Sequence, residues 1–324
     1  MNFRVLSVSA MLVGVVFSGS LQAETLVLYT SQPAQDAQMT VDAFEKANPG
    51  TKVEWVRDGT TKLMTKLRAE MAAGVVKPDV LLIADSVTLE QLKKEGILAA
   101  YPSAESKAYD PALFDKDGYY HGTKLITTGI AHHANAQQKP ASWKDLLKPE
   151  YKNQVAMPSP LYSGAALIHL STITANPDFS WKFYESLKEN GASALKGNGS
   201  VLTAVASGTS PYGVLADYMA IREKAKGAPI EFVFPAEGVS MVTEPVAIMK
   251  DNKQPELARK FVDFVLSEPG QQLVLEQGYL PARNGMKTPE GFPERSQIKL
   301  LPFDAAKALE SAEADKEGFS KLFN

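Results

Sequence analysis

The chain has 324 residues, with 34 lysines and arginines against 37 aspartates and glutamates, and it contains no cysteine. The lack of cysteine excludes disulfides, thiol catalysis, cysteine-ligated metal centres and a cysteine-linked lipid anchor. The net charge of −3 comes from scattered residues without a basic cluster, so nucleic acid is not expected as a partner. The length suggests two domains, and nothing in the composition implies a cofactor.

Residues 1–23 have the pattern of a cleaved secretory signal peptide. Arg4 gives a positive start, residues 5–17 form an apolar run, and Ala23 stands just before Glu24. The run of about 13 residues is shorter than the roughly 20 that a membrane span needs. The pattern is imperfect, because Leu21 occupies a position that usually holds a small residue. We predict cleavage after Ala23 and export to the periplasm.

The first half of the mature chain alternates predicted strands with predicted helices, which end at Gly, Pro or Asn turn residues. The strands are residues 25–30, 52–56 and 79–84, and the helices are residues 35–48, a helix that opens at 58–61, and residues 86–95. This order is typical of a doubly wound α/β layer, in which ligands bind at the carboxyl ends of the strands. The rule points to residues 30–31, 58–61 and 85–86 as one wall of a ligand site.

The second half is predicted to add another α/β layer. Residues 101–120 lack periodicity and are interpreted as a surface connection, whereas residues 124–132 form a strand that crosses to the second layer. Further strands are residues 154–157, 211–215, 231–235 and 242–249, and further helices are residues 142–147, 165–175, 180–190, 201–208, 255–266 and 270–277. The amphipathic tail, residues 302–323, is predicted to pack across both layers.

Enzyme motifs are missing from the sequence. The histidines, His121, His132, His133 and His169, lack the i, i+4 spacing of a helical zinc pair, and the two adjacent ones point to opposite faces of a strand. There is no G-x-S-x-G, no P-loop and no G-x-G-x-x-G between a strand and a helix, and the Gly197-Asn198-Gly199 cluster is interpreted as a loop. A binding protein is therefore favoured. A metal-assisted phosphate-ester hydrolase and a pure interaction protein are the alternatives.

Three predicted helix starts place hydroxyl-bearing or small residues beside free backbone N–H groups. They are Ser31, Thr60 with Thr61, and Ser163 with Gly164 and Ala165. A helix N-terminus carries partial positive charge and unpaired donors, so it suits an anion. Ser and Thr are also ordinary helix caps, and the combination of three such starts in two layers is what predicts a binding site.

Asp217, Tyr218 and Glu244 are further candidates for the ligand site. Asp217 and Tyr218 follow the strand at 211–215, and Glu244 interrupts an apolar strand just before Pro245. Three roles are open for the Glu244 carboxylate. It marks a hinge, it binds a hydroxyl, an amine or a metal, or it is a structural carboxylate whose hydrogen bonds are satisfied within the protein.

Five segments of the chain, including "TLVLYTSQ", "KPDVLLIAD" and "ARKFVDFVLSEPGQQL", carry a resemblance to a known family. They are residues 25–32, 44–70, 77–85, 140–166 and 258–273. The chain resembles the ferric-ion-binding branch of the periplasmic solute-binding proteins of ABC importers, whose relatives bind hexose phosphates, phosphonates, polyamines and thiamine.

The resemblance implies a type II periplasmic-binding-protein fold of class α/β. Two lobes, each a doubly wound sheet with flanking helices, would be joined by crossover hinge strands and would close on the ligand. The first lobe would contain residues 24–124 with 247–292, and the second would contain residues 125–246 with 293–324. The implied partners are an inner-membrane ABC permease and its ATPase. We expect the binding protein to act as a monomer.

The resemblance to the ferric members is incomplete at the metal ligands. Those proteins typically hold iron with adjacent tyrosines after the strand that matches residues 211–215, often with a His or Tyr after the first strand. This chain has Ala216-Asp217-Tyr218-Met219 in the former place and Ser31-Gln32-Pro33 in the latter. Fe(III) prefers several anionic oxygens. Iron held by Tyr218 and Glu244 is therefore an alternative to the expected ligand.

The expected ligand is a small organic anion, either a phosphorylated sugar or a phosphonate. Its anionic group would contact Ser31, Thr60, Thr61, Ser163, Gly164 and Ala165, and its hydroxyls or amine would meet Asp217, Tyr218 and Glu244. The other alternative is a polyamine or thiamine. Its amine would contact Asp58, Asp85, Asp217 or Glu244, with Trp143 or Tyr162 stacked against it.

Overall fold

A computed structural model describes residues 24–323 of the chain. The predicted signal peptide, residues 1–23, lies outside the described residues, so its cleavage remains a prediction. No helix within residues 24–323 combines the length and the apolar character that a membrane crossing requires.

The described residues form thirteen strands and ten α-helices in chain order. The strands are β1 (Glu24–Thr30), β2 (Thr51–Arg57), β3 (Val80–Leu82), β4 (Leu98–Ala99), β5 (His121–Gly122), β6 (Lys124–His133), β7 (Val155–Pro158), β8 (Ser193–Leu195), β9 (Tyr212–Ala216), β10 (Ile230–Val233), β11 (Ser240–Val242), β12 (Pro245–Met249) and β13 (Leu280–Pro281). The helices are α1 (Ala34–Ala47), α2 (Thr60–Ala72), α3 (Ser86–Lys94), α4 (Gly164–Ala175), α5 (Ser180–Glu189), α6 (Asn198–Ala206), α7 (Asp217–Ala225), α8 (Pro255–Leu266), α9 (Glu268–Glu276) and α10 (Ala305–Phe323).

The strands assemble into two mixed sheets. The first has the order β2-β1-β3-β12-β4, with β5 beside β12, and β1 runs parallel to both β2 and β3. The second has the order β10-β6-β9-β7-β8, with β11 and β13 beside β6. Because β1 has neighbours on both edges and helices on both faces, Leu26 and Leu28 are fully buried. The predicted α/β class with two sheets and flanking helices is confirmed.

Two neighbouring crossovers link the sheets, and the chain crosses once more between β12 and β13. The chain leaves the first sheet through β5 and enters the second in β6, and it returns from β11 to β12 across Thr243 and Glu244. The crossovers are hydrogen-bonded to each other, since the backbone N–H groups of Thr123 and Lys124 donate to the Thr243 carbonyl at 3.0 and 3.2 Å. These contacts place Glu244 at the junction of the sheets. The boundaries of the two lobes remain a prediction.

The amphipathic helices pack as their sequence periodicity requires. In α8, Leu257, Phe261 and Val265 lie on one buried stripe at i, i+4 and i+8. The ring of Phe261 meets Phe44 of α1 edge-on, with 5.0 Å between the ring centroids. Offset and edge-on aromatic pairs of this kind stabilise a core by about 0.5–1.5 kcal/mol beyond the burial of area. The helix therefore covers the face of the first sheet that is opposite to α2.

The C-terminal helix α10 joins the two halves of the molecule. Its Ala308 and Ala312 pack in one apolar cluster with Val87 of α3, which follows the first sheet, and with Ile168 of α4, which follows the second. Small residues at successive turns allow the three helices to approach closely. The prediction that the tail packs across both layers is confirmed.

The interpretation of Gly197-Asn198-Gly199 as a loop is wrong. Gly197 is the extended N-cap residue of α6, and Asn198 and Gly199 form its first turn. Glycine is tolerated at an N-cap, where the backbone is not yet helical. The helix therefore begins three residues earlier than the apolar pattern at 201–208 indicated.

Candidate functional site

A cavity of about 390 Å³ opens between the two sheets. Its walls come from residues that follow β1 and β2 of the first sheet and β7, β8 and β9 of the second. Most of the predicted site residues line it, namely Ser31, Thr60, Ser163, Gly164, Ala165, Tyr218 and Glu244. We call this cavity the cleft.

Five helices begin at the wall of the cleft. Their N-cap residues are Pro33 of α1, Gly59 of α2, Ser163 of α4, Gly197 of α6 and Ala216 of α7. Only Ser163 provides a side-chain cap, since its hydroxyl accepts from the Ala166 N–H at 3.3 Å. The first turns of α1, α2 and α6 receive no side-chain cap, so their N–H groups and their dipoles are open to a ligand. In the first turn of α7, the Tyr218 N–H already donates to the buried Asp217 carboxylate.

Ser31 is fixed at the ends of two strands. Its Oγ accepts from the backbone N–H of Ala84 at 2.8 Å, and its own N–H donates to the Leu82 carbonyl at 3.1 Å. Because the oxygen is held as an acceptor from Ala84, the hydroxyl proton remains available to donate. The side chain therefore presents a donor to the cleft at a position set by β1 and β3.

Basic side chains surround the cleft at its exposed edge. Arg57, Lys62 and Lys196 line it, and all three are exposed. The Arg57 Nε donates to the Gln32 carbonyl at 2.7 Å, and the Lys62 ammonium stands 3.4 Å from the Asp58 carboxylate. We call these three cations together with the helix starts the rim. The rim has more positive than negative charge, which favours an anion.

A buried charged cluster lies beneath the cleft. Its members are Asp36, Lys124, Arg222, Glu244 and Tyr279, which we call the floor cluster. The Lys124 Nζ stands 2.7 Å from the Glu244 Oε2, with only 2% of each side chain exposed, and it lies 4.2 Å from the centroid of the Tyr279 ring. Two opposite charges so far from water are stable only as a pair.

The second pair of the floor cluster connects helices that follow different sheets. Arg222 of α7 donates through Nη1 to both carboxylate oxygens of Asp36 of α1, at 3.0 and 3.2 Å. The Tyr279 hydroxyl also donates to Asp36, at 2.5 Å. The guanidinium stacks against Tyr218 and Tyr279, at 4.7 and 4.3 Å from the ring centroids. The cluster therefore ties the two sides of the cleft together in this conformation.

Glu244 is the member of the floor cluster that lines the cleft. Its φ of 39° is left-handed, which costs a non-glycine residue energy, and residues held in this way concentrate at functional sites. Burial raises the pKa of its carboxyl group, against the opposing effects of Lys124 and of the Gln32 side chain. The Thr123 hydroxyl donates to the Glu244 carbonyl at 2.8 Å and fixes the strained backbone.

Close contacts across the cleft show a closed arrangement. A Cβ atom on Gly164 of α4 would lie 2.5 Å from the Asp85 Cβ and 3.0 Å from the Thr60 Oγ1. A Cβ atom on Gly59 would lie 2.9 Å from the Tyr162 carbonyl oxygen. Real Cβ atoms do not approach so closely, so glycine is needed at both positions for the two sides to meet.

Two predicted site residues lie outside the cleft. Thr61 is exposed and faces a separate cavity of about 120 Å³, because the first turn of α2 rotates it away from Thr60. Asp217 is fully buried and accepts from the Thr127 N–H at 2.9 Å, the Thr127 hydroxyl at 2.7 Å and the Tyr218 N–H at 2.6 Å. Burial, opposed by these hydrogen bonds, raises the pKa of Asp217 to about 6. In this structure Asp217 holds α7 to β6.

Of the residues expected to contact an amine ligand, some line the cleft and others lie outside it. Asp58 and Glu244 line the cleft, and the half-exposed ring of Tyr162 lies beside them. Asp85 instead caps α3, where it accepts from the Thr88 N–H at 3.0 Å and hydroxyl at 2.5 Å. Trp143 is fully buried in the core of the second sheet. The cleft therefore offers an amine fewer carboxylates than the sequence indicated.

The residues considered for iron are engaged by internal cations. The rings of Tyr218 and Tyr279 contact each other at a tilt of 41°, with 4.3 Å between their centroids, and burial raises the pKa of both phenols. Arg222 lies against both rings, and Lys124 stands beside Glu244. Within residues 24–323, no three His, Asp or Glu side chains converge in a way that could hold a metal. Tyr218 and Glu244 therefore suit Fe(III) poorly as ligands, because the positive charges of Arg222 and Lys124 already lie beside them.

A larger cavity of about 850 Å³ lies on the other side of the crossover strand β6. Side chains alternate along the strand, so Leu125 and Thr127 face the larger cavity whereas Ile126 faces the cleft. The helices that begin there are capped by acids. Asp304 accepts from the Ala306 and Lys307 N–H groups, at 3.0 and 3.1 Å. Unlike the cleft, this cavity does not present open helix starts to a ligand.

Several residues of the cleft were not predicted from the sequence. They are Pro33, Arg57, Lys62, Lys196 and residues 197–200. The segment at 197–200 has a pattern that indicates a helix start, namely a glycine pair between a short strand and a helix. The interpretation of this segment as a loop left it out of the predicted site. The floor residues Asp36, Lys124, Arg222 and Tyr279 carried no such signal, because their ion-pair and hydrogen-bond partners within the cluster are at least 120 residues away along the chain (244 − 124 = 120 for Lys124 and Glu244).

Comparison with known proteins identifies the family. A profile of the family described as "Bacterial extracellular solute-binding protein" matches residues 76–309. The chain belongs to this family, and it is a solute-binding protein of an ABC importer. A Haemophilus influenzae protein described as uncharacterized is 28% identical over 325 residues, which cover 93% of this chain and 92% of the relative.

Two solved structures share the fold. The periplasmic binding protein AfuA from Actinobacillus pleuropneumoniae, with exogenous fructose-6-phosphate bound, is 22% identical with a TM-score of 0.82, covering 92% of this chain and 97% of AfuA. Iron-bound HitA from Pseudomonas aeruginosa is 23% identical with a TM-score of 0.80, covering 92% of this chain and 99% of HitA. At these identities the likeness establishes the two-lobed fold, and the ligand must be argued from the site.

Proposed function

We propose that this solute-binding protein works in the periplasm as a monomer and delivers a small organic anion, a phosphorylated sugar or a phosphonate, to an ABC permease and its ATPase. The observation that carries the proposal is the convergence of four helix N-termini, those of α1, α2, α4 and α6, with three cations on one cleft. Each helix end provides partial positive charge and N–H donors to a phosphate or phosphonate group.

The proposed anion contacts come from both sides of the cleft. Ser31 and Thr60 follow the first sheet, whereas Ser163, Gly164 and Ala165 follow the second. A ligand that touches both sides stabilises the closed form by contacts that the open form cannot make. Hinge closure on the ligand is therefore part of the proposal. The lobes that move would be those implied by the sequence, residues 24–124 with 247–292 and residues 125–246 with 293–324.

The same charges argue against the alternatives. Arg57, Lys62 and Lys196 would repel a polyamine or thiamine cation that enters the cleft. Lys124 and Arg222 already place positive charge beside Glu244 and Tyr218, and they would repel an Fe(III) ion there. No cofactor is part of the proposal, and the role proposed is binding without catalysis.

A binding screen on the mature protein tests the proposal. The panel contains glucose 6-phosphate, ethylphosphonate, putrescine, thiamine and ferric citrate, each measured by thermal shift and by isothermal titration. A ligand at 100 times its Kd should raise the free energy of unfolding by about 2.7 kcal/mol. We expect stabilisation by phosphate or phosphonate compounds alone. Stabilisation by ferric citrate alone, with a tyrosinate absorption band, would replace the proposal with iron binding.

A further inference from the structure

The floor cluster and the neighbouring Gln32 contain most of the buried polar atoms that lack an aligned hydrogen bond within the described residues. Seven buried side-chain atoms within residues 24–323 lack a hydrogen-bond partner, and five of them belong to Gln32, Lys124, Arg222 and Glu244. The Lys124 Nζ and the Glu244 Oε2 form a contact ion pair at 2.7 Å, but no aligned hydrogen bond forms at either atom. Unsatisfied donors and acceptors in native cores are rare and need an explanation.

The charges of the floor cluster balance. Glu244 faces Lys124 at 2.7 Å, and Asp36 faces Arg222 at 3.0 Å. Two carboxylates and two cations leave no net charge on the cluster when all four are ionised. A further charge brought to this depth would have no counterion, and burying an unpaired charge is costly.

We infer that Lys124 is a specificity-determining residue, whose ammonium occupies the position beside Glu244 that a ligand amine would otherwise take. The inference rests on the proposed function, and it narrows the ligand class. The end of the ligand that reaches Glu244 is uncharged and bears hydroxyl groups, as in a sugar phosphate. A ligand with a primary amine at that end is rejected.

The balanced charge of the floor cluster suits an uncharged, hydroxyl-bearing end of the ligand. A hydroxyl group that reaches Glu244 adds no charge to the cluster, and it can both donate to and accept from polar groups. An ammonium group would add a further cation beside the Lys124–Glu244 pair, and the Lys124 ammonium would repel it. The floor cluster therefore accepts a hydroxyl-bearing end of the ligand and rejects an amine. The rim binds the other, anionic end.

A pair of small phosphonates isolates the amine. Ethylphosphonate and 2-aminoethylphosphonate differ only in the amine, so the ratio of their Kd values measures how the protein treats it. For the wild-type protein we expect 2-aminoethylphosphonate to bind at least 10-fold more weakly. In Lys124→Ala the freed carboxylate of Glu244 and the vacated space should reverse the order by at least 10-fold. In Lys124→Ala/Glu244→Gln the preference for the amine should disappear.

The matched control is Lys93→Ala. Lys93 also pairs with two carboxylates, those of Asp115 and Asp117, but it faces the larger cavity. We expect this variant to keep the wild-type ratio of the two Kd values. A ratio that is unchanged in Lys124→Ala, while ethylphosphonate still binds, would overturn the inference and leave the proposed function standing.

Chemical rescue provides a second arm that does not depend on the proposed function. Ethylammonium chloride should raise the melting temperature of Lys124→Ala towards the wild-type value, because the added cation restores the counterion of Glu244. It should have no such effect on the wild-type protein, on Lys93→Ala or on the double variant. If wild-type protein binds neither phosphonate nor glucose 6-phosphate, the proposed function fails, and this rescue still decides the role of Lys124. Equal response of all four proteins to ethylammonium counts against it.

Discussion

At the rim of the cleft, Arg57, Lys62 and Lys196 are exposed and outnumber the carboxylates near them. Beneath the cleft, Lys124 is buried against Glu244, and the partly exposed Arg222 pairs with the buried Asp36. The exposed cations raise the local concentration of anions but contribute little to folding, because water and salt screen them. Lys124 and Arg222 are instead paired with carboxylates, and these pairs hold the two sides of the cleft in place. Charge placed at two depths of one cleft therefore serves two purposes, attraction at the rim and selection at the floor.

The difference in depth predicts the largest effect on stability. Glu244→Gln keeps the size of the side chain but leaves the Lys124 ammonium buried without its counterion. Breaking a buried pair in this way costs about 3–5 kcal/mol in the free energy of unfolding. Lys196→Gln at the rim should change it by less than about 0.5 kcal/mol. Urea unfolding measures the free energy of unfolding of both variants. Equal losses of stability would show that the floor cluster contributes no more to folding than the rim does.

The buried carboxylate of Asp217 predicts a pH dependence. Its pKa is raised from 3.8 to about 6 in the folded protein, because burial outweighs its hydrogen bonds. The folded state then binds more protons than the unfolded state between these values, so stability falls as the pH rises from about 4 to about 6. The raised pKa corresponds to at most about 3 kcal/mol.

Asp217→Asn isolates this contribution. The variant should lose the part of the pH dependence between about pH 4 and pH 6 that comes from this carboxyl group, while keeping a side-chain acceptor for the Thr127 N–H. Urea unfolding at several pH values in this window provides the measurement. Glu231→Gln, at an exposed site, is the control. Parallel pH profiles of wild-type protein and Asp217→Asn would contradict the raised pKa.

An acidic substitution at a helix start tests the rim. Ser163→Asp keeps the N-cap, since Asp caps as well as Ser, but it places a negative charge where the ligand's anionic group is expected. We expect binding of a phosphorylated ligand to weaken by about 100-fold, equivalent to about 2.7 kcal/mol. Isothermal titration with the best ligand of the screen measures the loss.

Ser267→Asp is the matched control for that variant. Ser267 caps α9 in the same manner, with its Oγ accepting from the Gly270 N–H at 3.2 Å, but it does not line the cleft. Its substitution should leave the Kd unchanged. If both variants bind like the wild-type protein, Ser163 does not contact the ligand, and the anion site must be assigned to the starts of α2 and α6 instead.

The rim could largely be predicted from the sequence, and the floor could not. Ser31, Thr60 and Ser163 follow strands and precede helices, and both facts are local in sequence, so their meeting at one cleft follows from the topology of parallel strands. The error at Thr61 is also local, because adjacent residues of a helix point about 100° apart. The error at Gly197-Asn198-Gly199 arose because glycine is a poor helix former in general but is tolerated at helix starts.

The floor depends on contacts between distant residues. Asp36 and Arg222 are separated by 186 positions, and Tyr279 lies 243 positions from Asp36. Each looks like an ordinary surface charge or core aromatic in its own segment. Asp217 shows the opposite problem, because its place after a strand suggested a ligand contact, yet its hydrogen bonds to Thr127 satisfy it internally. Fold class and strand order are local properties repeated along the chain, whereas this buried network exists only after folding.

The smallest predicted effect concerns the pair that joins the two sides of the cleft. Asp36→Asn keeps the shape of the side chain but removes the charge that holds Arg222, and the Tyr279 hydroxyl can still donate to the amide oxygen. The closed form should lose stability relative to the open form, so ligand affinity should fall by about 3–10-fold through faster dissociation. Glu256→Gln, which breaks an exposed pair with Arg259 within α8, is the control and should have no effect.

Small-angle scattering of the ligand-free proteins gives the second readout, and Asp36→Asn should have the larger radius of gyration. Identical dissociation rates and dimensions in the three proteins would mean that this pair contributes to folding without holding the cleft closed, and the closed arrangement would then depend on the ligand and on the glycine contacts at Gly59 and Gly164.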